Sequence, residues 1–467
     1  MDDFEREALR RLPLAEAALR LWAFITNESF LSSVFARHRG RSYEKVLSFP
    51  VMVNLIADAL LRYRGSGRRS FSEAKEQGTL QASIVAAFAK LRRLPISLSM
   101  GFLADCTARL VALFPDDLTT VPLPASLAGM EPVVLDGKAI KQVAKRLKPL
   151  RGIGGGILGG RALVAMRLRL GLVVGMHVHP DGQVNDVRFV PDLVPQIRGL
   201  VPGTRIFLGD RQFCNLEHLP VYLMAGDHFL IRYHNNVTFT RDTDRPIRTG
   251  VDQEGRSYEQ EWGWLGRPGH KQRRYLRRLT LYRVKQEPIG LVTDLEDADL
   301  FPATDLLALY LCRWGIERVF QQVTEVFGLE GLIGSSPEAT LFQFAFCLVL
   351  YNILQVVRAY VAQGNDRRVS DVSTEQLFVD VQNQLIAWHE FVVPVETTRL
   401  IKPLALEETR GQLTKLLSNN WKGIWKKAPS QKRAPPPHTG QNRRHESAYR
   451  LLEEARAAAK FQHTRHQ

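Results

Sequence analysis

The 467-residue sequence predicts an α/β protein: a mixed-sheet core interrupted by a β-rich insertion, with helical regions at both ends. Three observations lead there. Short apolar runs of strand length end in Asp136 and Asp210. Charged and β-prone residues alternate through residues 235–304. Apolar residues recur at helical spacing through residues 1–128, and again from residue 306 onward.

These textures set the boundaries. Residues 1–128 form a helical N-terminal unit, with apolar periodicity over 15–35, 51–63, 84–94 and 98–114. Between two of those runs lies RYRGSGRRS, an arginine-loaded Gly/Ser loop suited to docking on DNA. Residues 129–234 begin the core. VPLPASLAGMEP is a linker into a strand that closes at Leu135, and Asp136-Gly137-Lys138 follows. The stretch KQVAKRLKPLRGIGGGILGG has no GK[ST] and no strand–GxGxxG–helix setting, so it predicts a basic loop rather than a phosphate-binding loop. Two β-like runs (162–170 and 171–179), the turn Pro180-Asp181-Gly182 and a short run at 187–190 make an antiparallel set, with a helix over 192–200. A strand at 205–208 delivers Asp210 and Arg211, and 216–224 and 228–233 predict a helix and a strand.

The β-rich insertion spans 235–304, with strand-like runs at 237–240, 258–264, 276–284 and 289–293. It carries the basic run KQRRYLRR together with Trp262 and Trp264. The core resumes over 305–365 with a helix at 306–329 and a second helix at 340–362. Residues 366–467 form a helical C-terminal region. Its tail from Lys415 holds 12 Lys and Arg against 3 Glu, includes APPPHTG, and ends in a short helix at 445–461.

Composition narrows the function. Lys and Arg number 63 against 48 Asp and Glu, a net charge of +15 and a pI near 9.8. That excess points to a polyanionic partner, nucleic acid before an anionic membrane surface. Such binding weakens about a thousandfold or more between roughly 50 and 200 mM salt when six or more phosphates are contacted. Cys106, Cys214, Cys312 and Cys347 are far apart and form no CxxC, which argues against a zinc site or disulfide framework and fits a reducing compartment. The N-terminal MDDFEREALRRLPL lacks an apolar signal core, so a cytoplasmic location is expected. The most apolar run, 341–357, is broken by Gln343, Asn352 and Gln355 and predicts a buried helix, not a membrane span.

The chemistry gathers on the helix expected at 306–329. Tyr310, Arg313, Glu317, Gln321 and Thr324 follow at three- and four-residue steps and share a face. A hydroxyl, a guanidinium and a carboxylate in one stripe of so apolar a helix suggest a site. Glu317 is the third member of a set with Asp136 and Asp210, each at the end of an apolar strand and followed by a small or basic residue, Gly137-Lys138 or Arg211. Three carboxylates brought together need compensating cations, because two of them about 4 Å apart repel by roughly 4 kcal/mol at an effective dielectric near 20. Hard oxygen donors suit Mg²⁺ or Mn²⁺, and two such ions clamp the attacking and leaving oxygens of a phosphoryl displacement. His177-x-His179 puts two imidazoles on one strand face but has no third ligand at suitable spacing.

Tyr310-x2-Arg313-x3-Glu317, with strand-Asp136-Gly, strand-Asp210-Arg and the insertion between Asp210 and Glu317, resembles the signature of DDE-type bacterial insertion-sequence transposases. The likeness covers about residues 125–360, and Thr324 stands where that family has a lysine. The resemblance implies an RNase H-like core and two Mg²⁺ ions on Asp136, Asp210 and Glu317. It implies that Tyr310 and Arg313 hold a DNA phosphate near the cleaved end, with Lys138 and Arg211 also lining the DNA track, and that Trp262 or Trp264 stacks on a flipped base. The implied activity is cut-and-paste transposition: binding terminal inverted repeats, hydrolysing DNA to free a 3′-OH, and joining it to target DNA, as a homodimer on double-stranded DNA in the bacterial nucleoid. The rival readings are a nuclease that cuts without joining, and a non-catalytic DNA-binding descendant of a transposase.

Overall fold

A computed structural model of the chain describes residues 7, 11–63, 65–141, 145, 147–284, 286–325, 334–391, 401–427 and 445–464. Residues 142–144 and 146 of the basic glycine-rich stretch, APPPHTG, and positions 326–329 of the expected signature helix lie outside them.

The core strands are β1 (Met130–Ile140), the two-residue β2 (Ile157–Leu158), β3 (Gly160–Arg167), β4 (Leu172–His179), β5 (Thr204–Gly209) and β6 (His228–Arg232). The insertion supplies β7 (Phe239–Arg241), β8 (Arg248–Val251), β9 (Ser257–Leu265), β10 (Arg274–Arg283) and β11 (Gln286–Thr293). Among the described residues ten strands form one sheet, in the order β4-β3-β1-β5-β6-β11-β10-β9-β7 with β8 beside β9. β1, β3 and β4 are antiparallel neighbours, whereas β5 runs parallel to β1 and β6 parallel to β5. A mixed α/β core in this order, with the first hairpin on one side of β1 and two parallel strands on the other, is RNase H-like. The insertion continues this sheet, because β11 pairs antiparallel with β6 from Leu291–Arg232 to Thr293–Leu230.

Alternation along β1 assigns its two faces. Val134 and Ile140 belong to one apolar cluster, and Val133 and Leu135 to another on the opposite side. The second cluster is covered by α7 (Val190–Leu200) and the single-turn α8 (Leu219–Tyr222). The first is larger. It takes in the N-terminal helices α1 (Pro13–Thr26), α2 (Glu28–His38), α3 (Phe49–Leu61), α4 (Gly67–Glu76), α5 (Ile84–Leu91) and α6 (Ile96–Leu113). It also takes in α9 (Ala303–Leu311), α10 (Gly315–Glu325), α11 (Pro337–Gln363), α12 (Thr374–Phe391) and α13 (Leu406–Leu417).

Helix α11 is long and apolar enough to cross a membrane, but its apolar stretch is buried inside the protein. Asn352, one of the polar residues buried in it, is satisfied locally. Its amide donates to Val173 O and Thr107 Oγ1, both at 2.8 Å, and its Oδ1 accepts from Val173 N at 2.9 Å. That one side chain pins α11 to both β4 and α6, and its burial is tolerated because each bond replaces one to water.

Several local expectations are corrected. The run 15–35 is two helices, because the Asn27 side chain accepts from Phe30 N at 2.9 Å and caps a new helix there. The second half of RYRGSGRRS is helical, with Ser66 capping α4, so Arg68 and Arg69 lie in its first turn. Residues 187–190 form no strand. Asn185 caps a 3₁₀ turn (Asp186–Phe189) that leads into α7. The helix expected at 216–224 shrinks to α8 and a following turn. The signature helix is broken by a 3₁₀ turn over Cys312–Trp314, between α9 and α10. C-terminal residues Glu446–Ser447 (β12) pair with β2, and α14 (Ala448–Thr464) follows.

Candidate active site

Asp136 does not end its strand. β1 continues to Ile140 along β3, and what ends at Val134 is its pairing with β5. Asp136 is therefore the second residue of β1 past its parallel partner, at the carboxyl end of the parallel strands, where open α/β sheets place their ligands. It projects to the face that bears α10. Asp210 follows the last residue of β5 on the same edge, and its Oδ1 accepts from Gln212 N at 2.8 Å. That turn needs Gly209, because a Cβ there would meet the Phe213 side chain at 2.9 Å.

The 3₁₀ turn before α10 sets the third contributor. Arg313 sits in it with 4% of its surface exposed. Its Nη2 donates to Glu317 Oε1 at 3.1 Å, and Nη1 lies 3.8 Å from Asp136 Oδ2. Among the described residues its Nε and Nη1 have no hydrogen-bond partner, and neither does the buried Tyr310 hydroxyl. The Tyr310 ring centroid is 5.8 Å from the guanidinium carbon.

The three acids share one electrostatic neighbourhood. Burial pushes the Asp136 carboxyl up to about 7, opposed by Arg313 and the Gly137 N–H and reinforced by Glu317 and Asp210. Burial alone would lower Arg313. The charges of Tyr310, Asp136, Glu317 and Asp210 outweigh it and hold the guanidinium above its ordinary value. Burial also raises Tyr310, which feels Arg313, Asp210 and Arg232. Carboxylate oxygens are the donor chemistry for Mg²⁺ or Mn²⁺. They are not drawn into a closed ligand set: among the described residues no group of three or more His, Cys, Asp and Glu could hold a metal ion in this conformation.

The other expected residues divide. Lys138 stands on the same face of β1 as Asp136, its Nζ 5.4 Å from the Phe320 ring centroid. Arg211 pairs with Glu287 at 3.3 Å near the surface. Trp262 is fully buried and its indole N–H donates to Glu296 O at 2.8 Å, so it does not present a face to a base. Trp264 is 40% exposed, with Tyr275 edge-on and Arg273 over its ring at 4.7 Å. In the basic run, Arg277 is fully buried and donates to Phe301 O at 2.7 Å, and Arg278 is bonded to Glu261. Thr324 turns its hydroxyl back onto Phe320 O at 2.7 Å. His177 and His179 both lie against Phe189.

Two neighbours of the site escaped sequence reasoning. Arg232 ends β6 and acts electrostatically on Tyr310. Asp186, fully buried in the turn before α7, lies on the other side of β1 against Gly137 and accepts from Arg161 Nε at 3.2 Å. The available signal was the pair itself: a glycine immediately after a site acid, and an acid inside an apolar turn.

Comparisons with known proteins bear on this segment. No curated protein matches the sequence. Among solved structures, the cryo-EM structure of a piggyBac transposase synaptic complex with hairpin DNA aligns over 87% of this chain and 86% of that one. The two are 12% identical with a TM-score of 0.36, too loose a superposition to carry an argument. Residues 129–353, just under half of the chain, match the family model of the transposase DDE domain, a stretch that holds Asp136, Asp210 and Glu317.

Proposed function

We propose that the protein is a cut-and-paste DNA transposase whose strand cleavage and strand transfer take place at Asp136, Asp210 and Glu317. The observation that carries the reading is the meeting of Asp136 from β1 and Glu317 from α10 at one buried guanidinium, with Asp210 after β5 within its electrostatic reach. The transposase DDE domain match over the same segment and the +15 charge support it.

In this reading the three carboxylates would hold two Mg²⁺ ions, with Mn²⁺ as a substitute, which would supply charge neutralisation at the scissile phosphate and make the attacking hydroxyl more acidic. The chain's own residues do the rest. The interior of β1 fixes Asp136, the end of β5 fixes Asp210, and α10 brings Glu317 toward them. Tyr310 and Arg313 grip a backbone phosphate beside the cleaved bond, and Lys138, Arg211 and Arg232 line the approach. Trp264 offers a ring to an unpaired base. Water is the first nucleophile and the liberated 3′-OH the second, so no covalent protein–DNA intermediate is required. A homodimer holds the two ends.

The test is incubation of the wild type and Glu317→Ala with labelled duplex carrying the element's terminal inverted repeats and a target plasmid, with and without Mg²⁺. The expected result is Mg²⁺-dependent 3′-OH ends and joined product from the wild type only. Nicks that never join to target under any metal concentration would convert the reading to a nuclease. Equal cleavage by Glu317→Ala would remove Glu317 from the site.

A further inference from the structure

Arg313 is an odd occupant for a centre of this kind. Burying a guanidinium costs several kcal/mol unless charge partners and hydrogen bonds compensate. Here only Nη2 makes a hydrogen bond to an acid of the site, at 3.1 Å to Glu317 Oε1. Nη1 stands 3.8 Å from Asp136 Oδ2, beyond hydrogen-bond length, and Nε has no partner among the described residues. A permanent structural bridge is expected to be bidentate and short. Arg313 is instead held mainly by the field of the surrounding acids, with 4% of its surface exposed.

A second observation points the same way. Among the described residues no three His, Cys, Asp or Glu form a ligand set in this conformation, although Asp136 and Glu317 both lie against this one guanidinium. The guanidinium bridges Asp136 on β1 and Glu317 on α10 through two different nitrogens.

We propose that Arg313 is the resident counter-cation of the metal-free site: it holds Asp136 and Glu317 apart, and divalent-ion binding displaces it. This rests on the metal-centre reading above. Its consequence is an order of events. Displacement releases guanidinium donors that the metal-free site leaves partly unused, so loading the ions prepares Arg313 for a phosphate oxygen. Metal and DNA then bind with positive coupling, each favouring the state in which Arg313 has left the acids.

The experiment titrates Mn²⁺ into the full-length, DNA-free protein and counts free ion by electron paramagnetic resonance. The proteins are wild type, Arg313→Gln, Arg313→Lys and Asp136→Asn, and each melting temperature is recorded with and without Mn²⁺. Arg313→Gln removes the competing charge and is expected to bind Mn²⁺ about tenfold or more tightly, the size of one like-charge interaction about 4 Å away. Its metal-free form should melt lower than wild type and recover more on adding Mn²⁺. Arg313→Lys keeps the charge and should stay near wild type in affinity, which a purely packing role for the side chain does not require. Unchanged or weaker Mn²⁺ binding by Arg313→Gln, with Asp136→Asn abolishing it, overturns the counter-cation role and leaves the metal centre intact. Equal binding by wild type and Asp136→Asn overturns the metal centre and this inference with it.

Discussion

Replacing Gly137 with alanine is the sharpest structural test of how the site is built. A Cβ at Gly137 would stand 1.4 Å from Asp186 Oδ2 and 2.4 Å from its Cγ, on the face of β1 opposite Asp136. Asp186 has no room to retreat cheaply. It is fully buried and bonded to Arg161, whose Nε is at 3.2 Å and Nη2 at 3.1 Å. Overpacking of this kind costs about 1–3 kcal/mol, and loosening a charge-assisted hydrogen bond about 1.5–3 kcal/mol more, so the expected loss is roughly 3–5 kcal/mol. The assay is urea unfolding of Gly137→Ala, Asp186→Ala and the double variant. Because the two residues share one clash, the double variant should be at least about 2 kcal/mol more stable than the sum of the singles predicts. Gly199→Ala is the control: the added methyl meets nothing within 4 Å in α7 and should be neutral or stabilising by up to about 1 kcal/mol. Additive losses, or a Gly137→Ala protein as stable as wild type, would refute the contact between Asp186 and β1.

Other predictions follow from the same geometry. Trp262→Ala should destabilise the protein by about 3–5 kcal/mol, since it empties a fully buried site. Trp264→Ala should leave the urea midpoint nearly unchanged and weaken binding of DNA with an unpaired base by about 1–3 kcal/mol, measured by fluorescence anisotropy. His228 joins the core sheet to the insertion through Asp294, whose Oδ2 is 2.7 Å from Nδ1 and whose Oδ1 accepts from Phe229 N. The Asp294 bond raises His228 against the opposing effect of burial. A raised folded-state pKa means that this stabilisation is full below the unfolded value near 6.5 and is lost as pH climbs through the folded value. Thermal melts of wild type and His228→Gln should therefore converge as pH rises above that window; a gap that stays constant from pH 5 to 9 would contradict it.

What was legible in the sequence was what local chemistry dictates. The apolar runs before Asp136 and Asp210 put the acids on β1 and directly after β5, although β1 runs on past Asp136 to Ile140. The 3–4 spacing of Tyr310, Arg313 and Glu317 placed a stripe on a helix. The 3₁₀ turn at Cys312–Trp314 was hidden, since α-helical and 3₁₀ turns accept the same residues and tertiary packing decides between them. Burial was also hidden. Trp262 and Trp264 are two apart on one strand, yet only the second is exposed, because Arg245, Arg248 and Arg277 crowd the first. The continuity of the insertion with the core sheet depends on β11 pairing with β6, a contact between segments some 60 residues apart that no local pattern announces.

We propose that Asp136, Asp210 and Glu317 act as one unit. The direct measurement is divalent-ion-dependent cleavage of end-bearing DNA by Asp136→Asn, Asp210→Asn and Glu317→Gln, each checked for retained DNA binding and folding. Every single substitution is expected to drop cleavage to the same floor, and combining them to lower it no further. One variant that cuts at the wild-type rate would contradict it.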